Sequence, residues 1–209
     1  MQRAYEASEQ NSQTIDTYNK SIGPYVNRDM TRSREGFYND WLGDVFRDVP
    51  QNARILEIGS AHGRDARYLA SKGYKVQVTD ASGGFLDYLR QHGHSPLRLD
   101  IIAEAPEGKW EVVYASAVFL HFTDEDFSSA LQNIHAALVK DGKLVFSVIE
   151  RDGELTEDQP LGLPRYFRYF QADELRAKLE RANFLVTDIR ETIYKDKNWL
   201  YVMAEKKEK

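Results

Sequence analysis

The hydrophobic pattern changes period repeatedly along this chain. Short apolar runs at about 53–58, 74–79, 96–99, 110–115 and 143–149 predict strands. Between them, segments at about 64–72 and 83–91 carry helical spacing and stop near Gly73 and Gly93. A third helix opens at Thr123-Asp124-Glu125-Asp126, where acids suit the helix dipole, and carries Phe127, Leu131, Ile134 and Leu138 on one face. Strand and helix in alternation predict an α/β fold with a doubly wound, mostly parallel sheet. The end differs. A helix over 173–182 precedes two strands, about 184–193 and 198–205, joined by the polar turn Lys195-Asp196-Lys197, so the last strand should run antiparallel. At the other end, Ile15, Tyr18, Ile22 and Tyr25 form a weak stripe over 13–26, read as a helix broken near Gly23-Pro24. Thr31 or Ser33 would cap the next helix, which carries Phe37, Trp41, Leu42, Val45 and Phe46 and ends at Pro50; the first ten residues should fray. This divides the chain into a helical segment over 1–48 and a folded unit over 49–209.

The densest information lies where the first strand, Ile55-Leu56-Glu57-Ile58, runs into a turn holding Gly59 and Gly63 and then a helix. Strand, glycine turn and helix bring backbone N–H groups close to a nucleotide-like ligand. Asp80 ends the second strand, placed to accept from a ribose, or else to cap the helix after Gly83. The dinucleotide fingerprint needs glycine at its first, third and sixth positions, and this turn offers Gly59, Ala61 and Arg64. Glu57, two residues before the first glycine, would repel a pyrophosphate but suits a cationic ligand.

The run Glu57-Ile58-Gly59-Ser60-Ala61-His62-Gly63 resembles motif I of the class I S-adenosylmethionine-dependent methyltransferases. The resemblance extends over roughly 50–205. Asp80, followed by Ala81, matches the family's ribose acid. Leu99-Asp100-Ile101 matches the adenine-reading segment, with an acid for the exocyclic amine and a backbone N–H for the ring. Trp110 to Ala115 matches the fourth strand, and Leu138 to Val148 the glycine turn and fifth strand. The resemblance implies a seven-stranded Rossmann-like sheet, N-terminal lid helices and S-adenosylmethionine as cofactor. It implies cofactor contacts from Glu57, Gly59, Ser60, Ala61, His62, Gly63, Arg64, Asp80, Ala81, Asp100, Ile101, Ser116 and Ala117. Ala61 stands where the family carries its middle glycine, a mild departure provided φ stays negative. Arg64 is placed either to meet the methionyl carboxylate or to sit on the helix surface. His62 matters through its backbone N–H rather than its ring.

On the acceptor side, the segment Ser116-Ala117-Val118-Phe119-Leu120-His121-Phe122 lacks the Pro-Pro-aromatic signature of base-amine methyltransferases and the ligating aspartate of catechol-type enzymes. His121 is a candidate general base, the alternative being a packed structural histidine. In Pro164-Arg165-Tyr166-Phe167-Arg168-Tyr169-Phe170, Arg165, Arg168 and Tyr169 are candidates to grip an anionic or flat acceptor; equally, the rings would pack and the arginines snorkel. Tyr18 and Tyr25 are either lid contacts to the acceptor or anchors of their helix. His92, His94 and His135 have no metal-site spacing, so no metal is expected.

Composition narrows the reading a little. The 209 residues are 42% hydrophobic and 29% charged, ordinary for a globular protein, and a net charge of −5 disfavours nucleic acid. No cysteine is present for a disulfide or a nucleophile. No apolar run approaches the roughly 20 residues that span a bilayer, and no signal-peptide core is visible, so a cytoplasmic location is expected. The expected activity is methyl transfer to oxygen or nitrogen of a small molecule by in-line displacement, with an acceptor of anionic or aromatic character. A tRNA-modifying enzyme and a non-catalytic S-adenosylmethionine-binding protein are the alternatives, and the oligomeric state stays open.

Overall fold

The computed structural model describes residues 5–31, 33, 35–194 and 196–208. Its main strands are β1 (Ile55–Glu57), β2 (Val76–Asp80), β3 (Leu97–Arg98), β4 (Trp110–Ser116), β5 (Leu138–Ile149), β8 (Phe184–Tyr194) and β9 (Lys197–Lys206). They form one seven-stranded sheet in the order β3-β2-β1-β4-β5-β9-β8. Only the pairs made by β9 are antiparallel, so β9 runs against both β5 and β8. Lys195, in the expected turn of that hairpin, lies outside the described residues. The order reverses between β1 and β4, which opens a crevice at their carboxyl ends. A separate ladder pairs β6 (Glu154–Glu157) with β7 (Arg165–Arg168).

Side chains alternate across the strands, and each face has its own core. Val113, Ala115, Leu144 and Phe146 pack with Phe127, Leu131 and Ile134 of α7 (Asp124–Ala137) and with Leu175 and Leu179 of α8 (Ala172–Arg181). Thr123 caps α7 in a reciprocal capping box with Asp126. On the other face, Val112, Tyr114 and Val145 pack with Trp41, Leu42 and Phe46. Those three come from a π turn (Tyr38–Leu42), which continues α3 (Glu35–Phe37), and from α4 (Gly43–Arg47). The expected division after residue 48 therefore cuts through a core layer. The segment that stands apart from the sheet's cores is α1 (Glu9–Lys20) with α2 (Ile22–Met30).

Three details of this N-terminal pair differ from expectation. Its first helix starts at Glu9, capped by Ser8, rather than near residue 13. The break falls at Ser21, and Gly23-Pro24 lies in the first turn of α2, where a missing N–H costs nothing. The buried face of α1 is polar, consisting of Asn11, Thr14 and Thr17. Hydrogen bonds dock it. Thr14 Oγ1 accepts from Tyr166 N at 3.0 Å, and Asn19 Oδ1 accepts from Ser82 Oγ at 2.8 Å and Gly84 N at 3.0 Å. Ser82 and Gly84 open α6 (Gly83–Gln91), next to Asp80.

The turn between β1 and α5 (Arg64–Ser71) is left-handed at three alternate residues: Gly59 at φ +64°, Ala61 at +49° and Gly63 at +75°. A Cβ on Gly59 would lie 2.6 Å from Val118 Cγ2, so that position needs glycine for space as well as for φ. The expectation of a negative φ at Ala61 is incorrect. Its N–H points to Asp80 Oδ2 at 2.9 Å, and the left-handed conformation makes that bond possible. Such a conformation costs a non-glycine residue about 1–2 kcal/mol. Ala61→Gly removes that cost and loses about 0.4–1 kcal/mol through the freer unfolded chain. Urea unfolding of this variant should show a net gain of roughly 0.5–1 kcal/mol. A loss would mean that Ala61 sits unstrained.

Candidate functional site

Two cavities meet at the carboxyl ends of β1 and β4. The first, about 110 Å³, is lined by Gly59 and Ala61 of the turn, Asp80 and Ala81 after β2, and Asp100 and Ile101 after β3. Asn11, Thr14, Ile15 and Tyr18 of α1 close its other side. The second, about 280 Å³, has ring walls that include Phe37, Phe167, Trp199 and Tyr201. Ser116, Ala117, Tyr18, Tyr25 and His121 line both. A further depression of about 330 Å³ between α4 and α5 contains none of these strand-end groups.

Asp80 holds the first cavity in shape. Besides the bond from Ala61, it accepts from Ser82 N at 2.8 Å, so one carboxylate joins the turn after β1 to the start of α6. Burial raises its pKa to about 6 against the pull of the N–H groups of Ser82, Ala61 and Ala81. Asp100 is raised as well, chiefly by burial, and accepts from Ile102 N at 3.1 Å. Ala117 is a second strained alanine, at φ +56°, with its N–H shared between the hydroxyl and carbonyl oxygens of Ser147. Strained backbone at a wall common to two cavities is where function concentrates.

Other residues of the turn work behind the cavity. Ser60 joins β1 to β2, its N–H donating to Thr79 O at 2.8 Å and its hydroxyl accepting from Thr79 N at 3.1 Å. Gly63 caps α5. His62 and Arg64 line neither cavity. Both pair with Asp29 of α2, a buried residue absent from the sequence-based candidates. His62 Nε2 lies 2.8 Å from Asp29 Oδ2, and the Arg64 guanidinium also reaches that oxygen. Asp29 carries no local sequence signal, because its partners lie more than thirty residues away. The carboxylate that Arg64 meets is thus one from the N-terminal pair of helices.

Glu57 is 3% exposed, and its Oε2 has no hydrogen-bond partner. Burial and the neighbouring charge of Asp65 push its pKa up to about 8; Asp80 adds to this, while Ser60 and Arg64 oppose it. Asp65 is itself held by the hydroxyls of Tyr38 and Tyr114, both at 2.9 Å. Buried acids thus converge beneath the turn with Arg64 as the charged counterweight. A cation arriving there would be well received.

At the shared wall, His121 Nδ1 lies 2.7 Å from the Tyr166 carbonyl, which can only accept, so Nδ1 carries the proton. Its Nε2 then accepts from the Tyr18 hydroxyl at 2.8 Å. Burial lowers the His121 pKa to about 4; the Tyr166 bond opposes this and the Arg165 charge reinforces it. The ring is therefore neutral at pH 7, and burial raises Tyr18 in turn.

The two candidate arginines separate. Arg165 lines the second cavity. Arg168 lines neither; it bonds Asp124 at 3.3 Å, Glu174 and the Tyr169 carbonyl, tying β7 to α7 and α8. Tyr169 is buried in the core under Arg151, away from both cavities. Arg168 and Tyr169 are therefore removed from the acceptor candidates. Among the described residues, no group of three or more His, Cys, Asp or Glu could hold a metal ion, and no helix is long and apolar enough to cross a membrane.

Compared with known proteins, residues 30–189 match the family described as "Methyltransferase domain". The mitochondrial ubiquinone biosynthesis O-methyltransferase of Schizosaccharomyces pombe is 26% identical, over 74% of this chain and 64% of that protein. The chain thus spans slightly less than two thirds of that curated relative's length. The Burkholderia thailandensis 1,6-didemethyltoxoflavin-N1-methyltransferase, solved with 1,6-didemethyltoxoflavin and S-adenosylhomocysteine, aligns over 98% of this chain and 93% of that one, with TM-score 0.73 and 19% identity. A methyltransferase of the S-adenosylmethionine-dependent kind from Methanosarcina mazei aligns over 78% and 96%, with TM-score 0.70 and 14% identity. At these identities the structural likeness establishes the fold, a Rossmann-like methyltransferase sheet.

The Glu57 environment makes a prediction about the protein without ligand. Between its unfolded pKa of 4.5 and its folded value of about 8, only the folded state holds the proton, so stability falls as pH rises. Asp80 completes most of its titration below pH 6.5, and His121, still half-charged there in the unfolded chain, offsets only a minor part of the Glu57 effect above that pH. From pH 6.5 to 8, stability should therefore drop by on the order of 1 kcal/mol per pH unit. Glu57→Gln should flatten that slope in denaturant titrations. An unchanged slope would show that Glu57 is ionised in the empty fold.

Proposed function

The chain belongs to the methyltransferase-domain family, and on that premise we propose that it transfers a methyl group from S-adenosylmethionine to oxygen or nitrogen of a small-molecule acceptor. The observation that carries this reading is the pair of cavities with a common wall. A group transfer between two ligands needs two sites that meet, and these meet at Ser116, Ala117, Tyr18, Tyr25 and His121. The first site suits the cofactor. Asp80 offers a strand-end carboxylate to a ribose diol, and Asp100 and Ile101 flank the place for a base. Glu57 lines neither cavity but lies buried behind the turn, where its carboxyl adds acidity beneath a cationic end.

When bound, S-adenosylmethionine supplies an electrophilic methyl group on a sulfonium. The task left to the chain is alignment and exclusion of water. Helix α1 covers the junction, and Tyr18 brings a hydroxyl held in place by His121. We assign to Tyr18 and His121 the orientation of the acceptor atom. The net charge of −5 and the modest volume of the second cavity, about 280 Å³, favour a small molecule over tRNA.

Calorimetry should show binding of S-adenosylmethionine and S-adenosylhomocysteine but not NAD. Asp80→Ala should weaken both by roughly tenfold to a hundredfold, the loss of charged hydrogen bonds of about 1.5–3 kcal/mol. A screen of cell-extract metabolites with labelled methyl donor should yield a labelled product. Tight NAD binding, or sulfonium binding untouched by Asp80→Ala, would refute the cofactor assignment. Binding without turnover on any metabolite would favour a sensor over an enzyme.

A further inference from the structure

The geometry points to a flat acceptor carrying one negative charge, held by Arg165, with Glu157 as the residue that limits this preference. This rests on reading the second cavity as the acceptor site.

Arg165 is 6% exposed, yet its charge is poorly matched. Its Nη2 donates to the Gln159 carbonyl at 2.6 Å, and its Nε is buried with no hydrogen-bond acceptor. The carboxylate of Glu157 stands 3.9 Å from Nη2, too far for a hydrogen bond, on a side chain 36% exposed. A buried guanidinium in this position gains from a carboxylate or other oxyanion at hydrogen-bond distance. The only other carboxylate in the cavity wall, among the described residues, belongs to Asp29, which is engaged with His62 and Arg64. The same wall also holds the cationic residues Arg28 and Lys197. Its charge therefore favours an anion over a cation.

Shape narrows the choice further. The guanidinium lies 4.9 Å from the Phe167 ring centre and 5.9 Å from that of Tyr18, fixed between faces rather than free to follow a flexible ligand. With Trp199, Tyr201 and Phe37 completing the wall, a volume of about 280 Å³ admits a planar ring system of modest size. Trp199 Nε1 is a second buried donor without an acceptor. Glu157 competes for Arg165 with the incoming anion. It tunes affinity for charged acceptors and leaves neutral ones unaffected.

The test uses simple probes on full-length protein saturated with S-adenosylhomocysteine. Benzoate, benzamide and cyclohexanecarboxylate are titrated into wild type, Glu157→Gln, Arg165→Gln and Arg165→Lys. Benzoate should bind roughly tenfold or more tightly than either of the others, as expected for one charge-assisted hydrogen-bonded contact. Glu157→Gln should tighten benzoate severalfold without changing benzamide. Arg165→Gln should erase the preference, and Arg165→Lys should restore only part of it, because the ammonium lacks the planar fork. Unchanged S-adenosylhomocysteine affinity in each variant certifies its fold. If benzamide equals benzoate, if benzoate fails to bind, or if Glu157→Gln weakens benzoate, the inference is wrong. If S-adenosylhomocysteine itself does not bind, the cofactor reading fails instead, and the two failures are distinct.

Discussion

The site depends on one carboxylate. Asp80 accepts from Ala61 N and Ser82 N, and these two bonds join the turn after β1 to the helix after β2. Neighbouring parallel strands bring their ends together but do not fix the loops that leave them. Here the loops are fixed by a buried acid whose charge burial disfavours and backbone N–H groups restore. The left-handed Ala61 goes with this joint, its N–H donating to Asp80 from within that conformation. The seat for α1 is another, because Asn19 docks on Ser82 and Gly84 at the same helix start.

Around this joint the protein concentrates acidic groups. Glu57 and Asp65 lie close enough for their charges to interact, and neither has a metal-ligand arrangement around it. A folded protein tolerates such a cluster where a ligand repays it, at a functional site. The cover over it is unlike a core helix. Asn11, Thr14 and Thr17 bury hydroxyls and an amide where an apolar stripe would give stronger adhesion. Hydrogen bonds to water replace those contacts at little net cost when the helix lifts. A polar buried face on the covering helix suits a site that admits and releases ligands, and the pairing of Asp29 with His62 and Arg64 fastens α2 to the turn.

Much of this was legible in the sequence, and the exceptions have physical causes. Strand and helix period and the acids opening α7 identified the sheet and its helices, because these signals are local; Asp80 and Asp100, singled out at strand ends, do line the first cavity. Arg165 and Arg168 illustrate the limit. They are three residues apart, so on a strand they face opposite sides, and β7 sends Arg165 and Phe167 to the cavity and Arg168 to α7 and α8. The local pattern of interleaved arginine and aromatic residues gave no reason to separate them. The pairing partner that makes it a strand, β6, is a short polar stretch, Glu154–Glu157, without apolar alternation. Asp29 and Glu157 act through partners fixed only by tertiary packing. Ala61 was misjudged because its φ is set by a bond to a residue nineteen positions away.

The central claim is that the acidic turn is a receptor for a cationic cofactor. Its most direct test is calorimetry of S-adenosylmethionine binding at pH 7 in buffers of different ionisation enthalpy, which counts protons exchanged. Burial and the charge of Asp65 favour the protonated form of Glu57 in the ligand-free fold. On this account a bound cation reverses that preference, so close to one proton should be released on binding, and Glu57→Gln should release none. Binding without proton release in the wild type, at an affinity that Glu57→Gln leaves unchanged, would contradict the account.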